Sequence, residues 1–400
     1  MTILSAGSAA AVPEWPESQL VAEGFEFPTG MAFLPDGTLL VNDRPGSVRV
    51  IGNGRLDPEP LAEIPTAITG ETGLLGIAVP PDVDEDAAAY AFATAPDGNT
   101  NIIWRVPLDG SDIEPIVQGL PAAGYHNGGG VAFDEDGMLL ISNGEQHDGD
   151  RAQDPEVLGG KVYRFNPDGS IPTDNPFSAT SAALSIGLRN PYGLAIDPLS
   201  GAPWVTENGP ESYDEINRIV PGTNYGWPQI SGPEDVNELD AAELGLRPPY
   251  LDPVLAYEQV IVPTGITFAT RDAPPLVEKG DLFFGSYAEA AIHHVRLDDD
   301  RTSAATDSVI PVEGPVVAIG WGPEGLYYSA DDEVRMFPFA GGEEASPDAS
   351  QSEKAPSPIE SDEGPLGPLA DEEGGLAWPA LLILALFAAG IYFTRRRLDR

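Results

Sequence analysis

Two short stretches carry residue types that can do chemistry. His126 stands between a turn-forming run, PAAGY at 121–125, and Asn127-Gly128-Gly129-Gly130. An imidazole titrates near neutrality, so it can take a proton from a hydroxyl group. The glycines beside it let backbone approach a bound molecule closely. The alternative is a loop histidine that caps a neighbouring backbone group. The second stretch is Arg189-Asn190, placed before Pro191 at the start of a strand-like run. A guanidinium there can clamp a carboxylate through two parallel N–H bonds. The chain has 0 cysteines, which excludes disulfides, zinc-thiolate sites and a thiol nucleophile.

The elements that position these residues are short strands. Gly (45) and Pro (41) are abundant, as a turn-rich chain requires. Between residues 21 and 340 a unit recurs: an apolar run, a turn rich in Asp, Gly and Pro, then a second apolar run. Its instances are 32–43, 78–94, 132–144, 195–209, 266–286 and 320–332. Asp-Gly between apolar runs signals a hairpin. Sustained helical periodicity is absent from this region apart from short acidic pieces such as 234–245. Six units at this spacing predict an all-β fold, a six-bladed β-propeller over 21–340. A β-sandwich is the competing architecture, but six units exceed what one sandwich uses.

The formal charge is −44. Only Lys161, Lys279 and Lys354 are lysines. Such a surface repels nucleic acid, which needs clustered Lys and Arg. It also repels itself unless salt screens it, so the composition reads as halophilic. Residues 376–394 form an uncharged apolar stretch, LAWPALLILALFAAGIYFT, of the length of a transmembrane helix. Trp378 and Tyr392 lie near its ends, and a basic tail, 395–400, follows. The positive-inside bias predicts a single-pass C-terminal anchor in the cell membrane, with the propeller on the extracellular side. Residues 341–375, acidic and rich in Pro and Ser, read as a disordered linker. Residues 1–20 read as a leader-like or strand-closing segment, without a basic n-region.

Against that frame, several stretches resemble the glucose/sorbosone dehydrogenase family. They are FPTGMAFLPDGTLLVNDRPGSVRV at 27–50, GETGLLGIAVPP at 70–81, HNGGGVAFDEDG from His126, GLRNPYGLAIDP at 187–198, and the ENGP, DEINRI and GTNYGWP runs up to 228. The likeness extends in order over most of the 21–340 region. It implies a propeller that uses pyrroloquinoline quinone (PQQ) and Ca²⁺ to oxidise an aldose-type sugar, passing electrons to a membrane quinone or an external carrier. By the same resemblance His126 is the general base and Glu145 the carboxylate that orients it. Arg189, Asn190, Asn208 and Glu71 belong to the cofactor site. The carbonyls of Gly209 and Pro210 are the expected calcium ligands; calcium accepts backbone carbonyls, and proline leaves its own free.

The sequence departs from the family at four kinds of position. Glu145 is one methylene longer than the usual Asp. Three positions that are basic in the family fall near Ala288, Pro315 and Val317. Gly130 replaces an Arg, and Leu188 a His. Burying carboxylates without paired charge is costly. Two other functions therefore stand beside the enzyme. One is a non-catalytic, membrane-anchored binding module with a decayed cofactor site. The other is a metal-dependent lactone hydrolase, with Glu71, Asn127, Asn190 and Asn208 converging on Ca²⁺.

Overall fold

The computed structural model describes residues 14–82 and 87–339. Within them the chain folds into six antiparallel four-stranded sheets, one of which carries an extra short strand. Each sheet is a blade, and successive blades begin with the innermost strands Pro28–Phe33, Leu74–Ala78, Val131–Phe133, Pro191–Ile196, Pro263–Phe268 and Ile319–Trp321. Neighbouring innermost strands pack against one another, and the sixth packs against the first, which closes the ring. Strand pairing closes the ring as well: Gln19–Glu23, which precedes the first blade, is the outer strand of the last blade and pairs with Glu333–Pro338.

The apolar runs are continuous for a physical reason. The second strands Leu39–Asp43, Ala88–Thr94, Leu139–Asn143, Pro203–Glu207, Leu282–Ser286 and Gly325–Ala330 are buried at every position. Each lies between two neighbouring blades, so both faces are apolar, as in a sheet covered on both sides. The outer strand Ala304–Pro311 buries only Ile310. The acidic piece 234–245 holds a single 3₁₀ turn, Glu234–Val236, because nothing beside it offers an apolar face to bury.

Five of the six second strands end in polar residues that grip the adjoining blade or loop. Asn42 donates to the carbonyls of Leu75 and Gly76 at 3.0 and 2.9 Å. Thr206 donates to Thr264 at 2.6 Å, and Asn143 to Asn127 at 2.9 Å. Innermost-strand glycines allow this close approach. A Cβ at Gly76 would lie 2.2 Å from the Gly129 carbonyl oxygen, and one at Gly193 would lie 2.5 Å from that of Thr264. The apolar residues form six clusters, each drawn from adjacent blades.

Residues 341–375, 376–394 and 395–400 lie outside the described residues, as do 1–13. Among the described residues no helix is long and apolar enough to cross a membrane.

Candidate active site

The central channel carries almost no ionisable chemistry. Its lining includes Gly30, Leu75, Gly129, Gly193 and Ala318, and its one titratable side chain is Tyr192. The chemistry lies at one end, where loops leading into blades two, three and four meet the loops that follow the second strands of blades three and four.

His126 belongs to the loop entering blade three. It is 6% exposed and has a positive φ of 57°. That backbone is held rather than relaxed: the His126 N–H donates to Glu71 Oε2 at 2.8 Å, and its carbonyl accepts from Gln146 at 2.9 Å. Nδ1 lies 2.9 Å from Glu145 Oε1. With Glu145 ionised, Nδ1 carries the proton and donates, so the lone pair is on Nε2, which has no hydrogen-bond partner among the described residues. Burial and the Arg189 charge push the His126 pKa down to about 4. The ring is therefore neutral at ordinary pH and able to accept a proton. Burial alone would raise the Glu145 pKa, but the His126 bond and the nearby Arg189 outweigh it and hold that carboxyl below its usual range.

Arg189 and Asn190 form the loop entering blade four. The Arg189 guanidinium donates to the Asn208 carbonyl at 2.7 Å and lies over the Trp227 ring at 5.4 Å. The Arg189 backbone N–H donates to Glu207 Oε1 at 2.5 Å. Asn190 accepts from the Gly128 N–H at 3.0 Å and donates to Glu71 at 3.4 Å. Glu71 thus ties three loops together. Burial raises its pKa against the pull of these bonds and of Arg189 and Arg44. Asn208 is 8% exposed, and its Oδ1 is buried without a partner. Gly209 donates its N–H to Asp214 Oδ1 at 2.8 Å, and Pro210 follows it half-buried at the rim. The structure thus links Glu71, His126, Glu145, Arg189, Asn190 and Asn208 through direct or shared contacts.

Ala288, Pro315 and Val317 supply no charge to this end of the molecule; Ala288 is exposed and Val317 buried. Arg44, which sequence reasoning missed, brings positive charge beside Glu71. Its Nε donates to Thr72 at 2.9 Å and its Nη2 to Gly70, so it braces the loop that carries Glu71. Its charge also acts on Tyr192 and Tyr287. Two buried acids were missed as well. Asn217 donates from one amide to Glu207 and Glu215 at 3.0 and 2.9 Å, and burial raises the pKa of both. Both lie in the ENGP and DEINRI runs, but only the fold shows that they share one amide. His147, also missed, stacks near His126 with ring centroids 4.1 Å apart.

Three comparisons bear on this arrangement. A family model described as Glucose / Sorbosone dehydrogenase matches residues 25–336. The aldose sugar dehydrogenase YliI of Escherichia coli is 29% identical over 348 residues, covering 81% of this chain and 92% of its own. The PQQ-bound structure of an aldose sugar dehydrogenase from Streptomyces coelicolor superposes with a TM-score of 0.68 at 29% identity, covering 82% of this chain and 98% of that one. The chain belongs to the glucose/sorbosone dehydrogenase family.

Proposed function

We propose that the protein is a PQQ-dependent oxidoreductase that oxidises an aldose-type sugar at the end of the channel where His126 lies. The observation that carries this reading is the buried His126–Glu145 pair, whose uncommitted Nε2 stands beside the Arg189–Asn190 loop. The relative with bound PQQ supports the cofactor.

The residues present fit that group. The orphaned Asn208 Oδ1 is a buried acceptor awaiting a donor. Arg189 and Arg44 bring positive charge to a group with several carboxylates, and Trp227 supplies an aromatic wall. Arg189, Asn190 and Asn208 would hold the cofactor, with Arg44 acting at longer range. Bound there, PQQ supplies a two-electron acceptor for hydride. Among the described residues no three acidic or histidine side chains gather as a metal site, so a divalent cation here would rest on backbone carbonyls. The Gly209 and Pro210 carbonyls are the expected ligands for Ca²⁺.

The chain's own part in the reaction is proton handling. His126 accepts the substrate hydroxyl proton at Nε2. Glu145 holds the ring in the tautomer that leaves Nε2 free and stabilises the positive charge that forms. Burial keeps water from competing for that nitrogen. A membrane quinone or an external carrier then takes the electrons, and the segment 376–394 would keep the propeller at the outer face of the cell membrane.

Binding tests the reading directly. PQQ added with Ca²⁺ to the full chain quenches tryptophan fluorescence, and Arg189→Ala weakens that binding at least about tenfold, since a hydrogen bond to a charged group is worth roughly 1.5–3 kcal/mol. A folded protein that shows no quenching and no bound quinone absorbance overturns the proposal in favour of a non-catalytic binding module.

A further inference from the structure

We infer that His147 carries the substrate proton from His126 to solvent, a role that rests on the proton transfer proposed above.

The site needs such an exit. His126 is 6% exposed, and its Nδ1 is engaged by Glu145. A proton delivered to Nε2 makes an imidazolium in a buried place beside Arg189, whose charge opposes it. Turnover requires that this proton leave before the next substrate arrives. His147 is exposed, and its ring centroid is 4.1 Å from that of His126 at a tilt of 40°. At that separation the two rings are in contact, face inclined to face, so transfer between their nitrogens runs through a bridging water. No described residue makes a hydrogen bond to either ring nitrogen of His147; its recorded neighbours are the rings of His126 and Tyr125, the latter at 5.8 Å edge-on. Both nitrogens are therefore open to exchange.

The backbone places His147 there at a cost. Gln146 and His147 have φ of 53° and 63°, two consecutive residues in the left-handed region. Non-glycine residues resist that conformation, because Cβ crowds the following carbonyl. The turn is pinned by Gln146 donating to the His126 and Gly144 carbonyls, and by the Asp148 N–H donating to the Glu145 carbonyl at 3.0 Å and to its Oε2 at 3.2 Å. The geometry folds the chain back so that the residue two after Glu145 covers the histidine that Glu145 orients. Glu145, Arg189, Tyr125 and Asp148 are the other titratable groups that face or flank this pair. Burial lowers the His147 pKa despite the pull of Glu145, so it is ready to receive a proton.

The step balances as follows. The substrate O–H bond breaks and its proton binds Nε2 of His126, while hydride leaves the adjoining carbon for the quinone acceptor. The Nε2–H bond then breaks, the proton binds a free ring nitrogen of His147, and His147 releases it to water.

The test uses the full chain loaded with PQQ and Ca²⁺, comparing wild type with His147→Ala and His147→Gln. Each variant loses roughly tenfold or more in kcat with KM for the sugar little changed, and added imidazole restores kcat in His147→Ala alone, because the smaller residue leaves space for it. A second readout needs no turnover: in unloaded protein near pH 4, where His126 takes up a proton at Nε2, solvent exchange of that N–H, read from ¹⁵N–¹H line widths, slows in both variants. Unchanged kcat together with unchanged exchange overturns the relay. Loss of kcat without imidazole rescue and without slower exchange also overturns it, leaving a structural role for His147. If wild type itself shows no sugar-dependent reduction, the dehydrogenase reading fails, and the exchange measurement still decides whether the relay exists.

Discussion

At the scale of the residue, the account depends on how two carboxylates treat one imidazole. Glu71 fixes the His126 backbone, and Glu145 fixes its ring. Glu145→Gln keeps the shape but removes the charge and lets the amide present either an acceptor or a donor to Nδ1. We expect kcat to fall at least about a hundredfold while the thermal midpoint stays close to wild type; steady-state kinetics beside calorimetry checks both. The depressed His126 pKa also sets a direction for acid stability. The unfolded chain takes up its proton near 6.5, but the folded one only near 4. Between those values the unfolded state binds more protons. This contribution to stability is therefore complete above pH 6.5 and is lost as pH falls through about 4, to the extent of roughly 3 kcal/mol. Urea midpoints taken across that window fall less steeply in His126→Asn; equal slopes in the two proteins would refute the assignment. His126, Arg189 and Glu145 were legible because a rare residue type stood in a distinctive glycine-rich or Asn-Pro context, or because it matched a family position. His147 and Arg44 were not. Each owes its place to a loop conformation, and Glu207 and Glu215, though inside the ENGP and DEINRI runs, gain their pairing only through Asn217.

At the scale of the element, the recurring apolar pairs were visible for a reason the structure makes plain. Each quoted unit covers the whole second strand of one blade, the strand pressed between neighbours, and the end of its innermost strand. The outer strands left little trace, since a strand such as Ala304–Pro311 has one buried residue and no apolar pattern. The polar residue that ends a second strand, as in Leu139–Asn143 or Pro203–Glu207, also had no meaning until its partner in the next blade or loop was seen. The glycines of the innermost strands set the blade spacing, so Gly76→Ala forces a methyl group into the Gly129 carbonyl. We expect a loss of roughly 1–3 kcal/mol in unfolding free energy, measured in urea. Gly110, whose added Cβ meets nothing within 4 Å, provides the control. It sits at φ 77°, so Gly110→Ala costs only the backbone term.

At the scale of the whole molecule, a chain charge of −44, with acids spread along its length, means that self-repulsion works against folding. The screening length shrinks from about 10 Å at 0.1 M salt to about 3 Å at 1 M. The thermal midpoint of the full chain is therefore expected to rise by several degrees between those concentrations of KCl. A midpoint that is flat or falls would show that the acids are already balanced within the fold. The membrane anchor proposed for 376–394 belongs to this scale too; we expect the full chain to partition into a membrane fraction from which removal of residues 376–400 releases it. The central claim concerns chemistry, and one assay reaches it most directly. The full chain is loaded with PQQ and Ca²⁺ in molar salt, and dye reduction is followed with a panel of aldoses, with His126→Ala alongside. The account predicts sugar-dependent reduction that falls by about 10²–10⁴ in the variant. Reduction that survives the loss of His126, or a loaded wild type that oxidises no sugar, would contradict it.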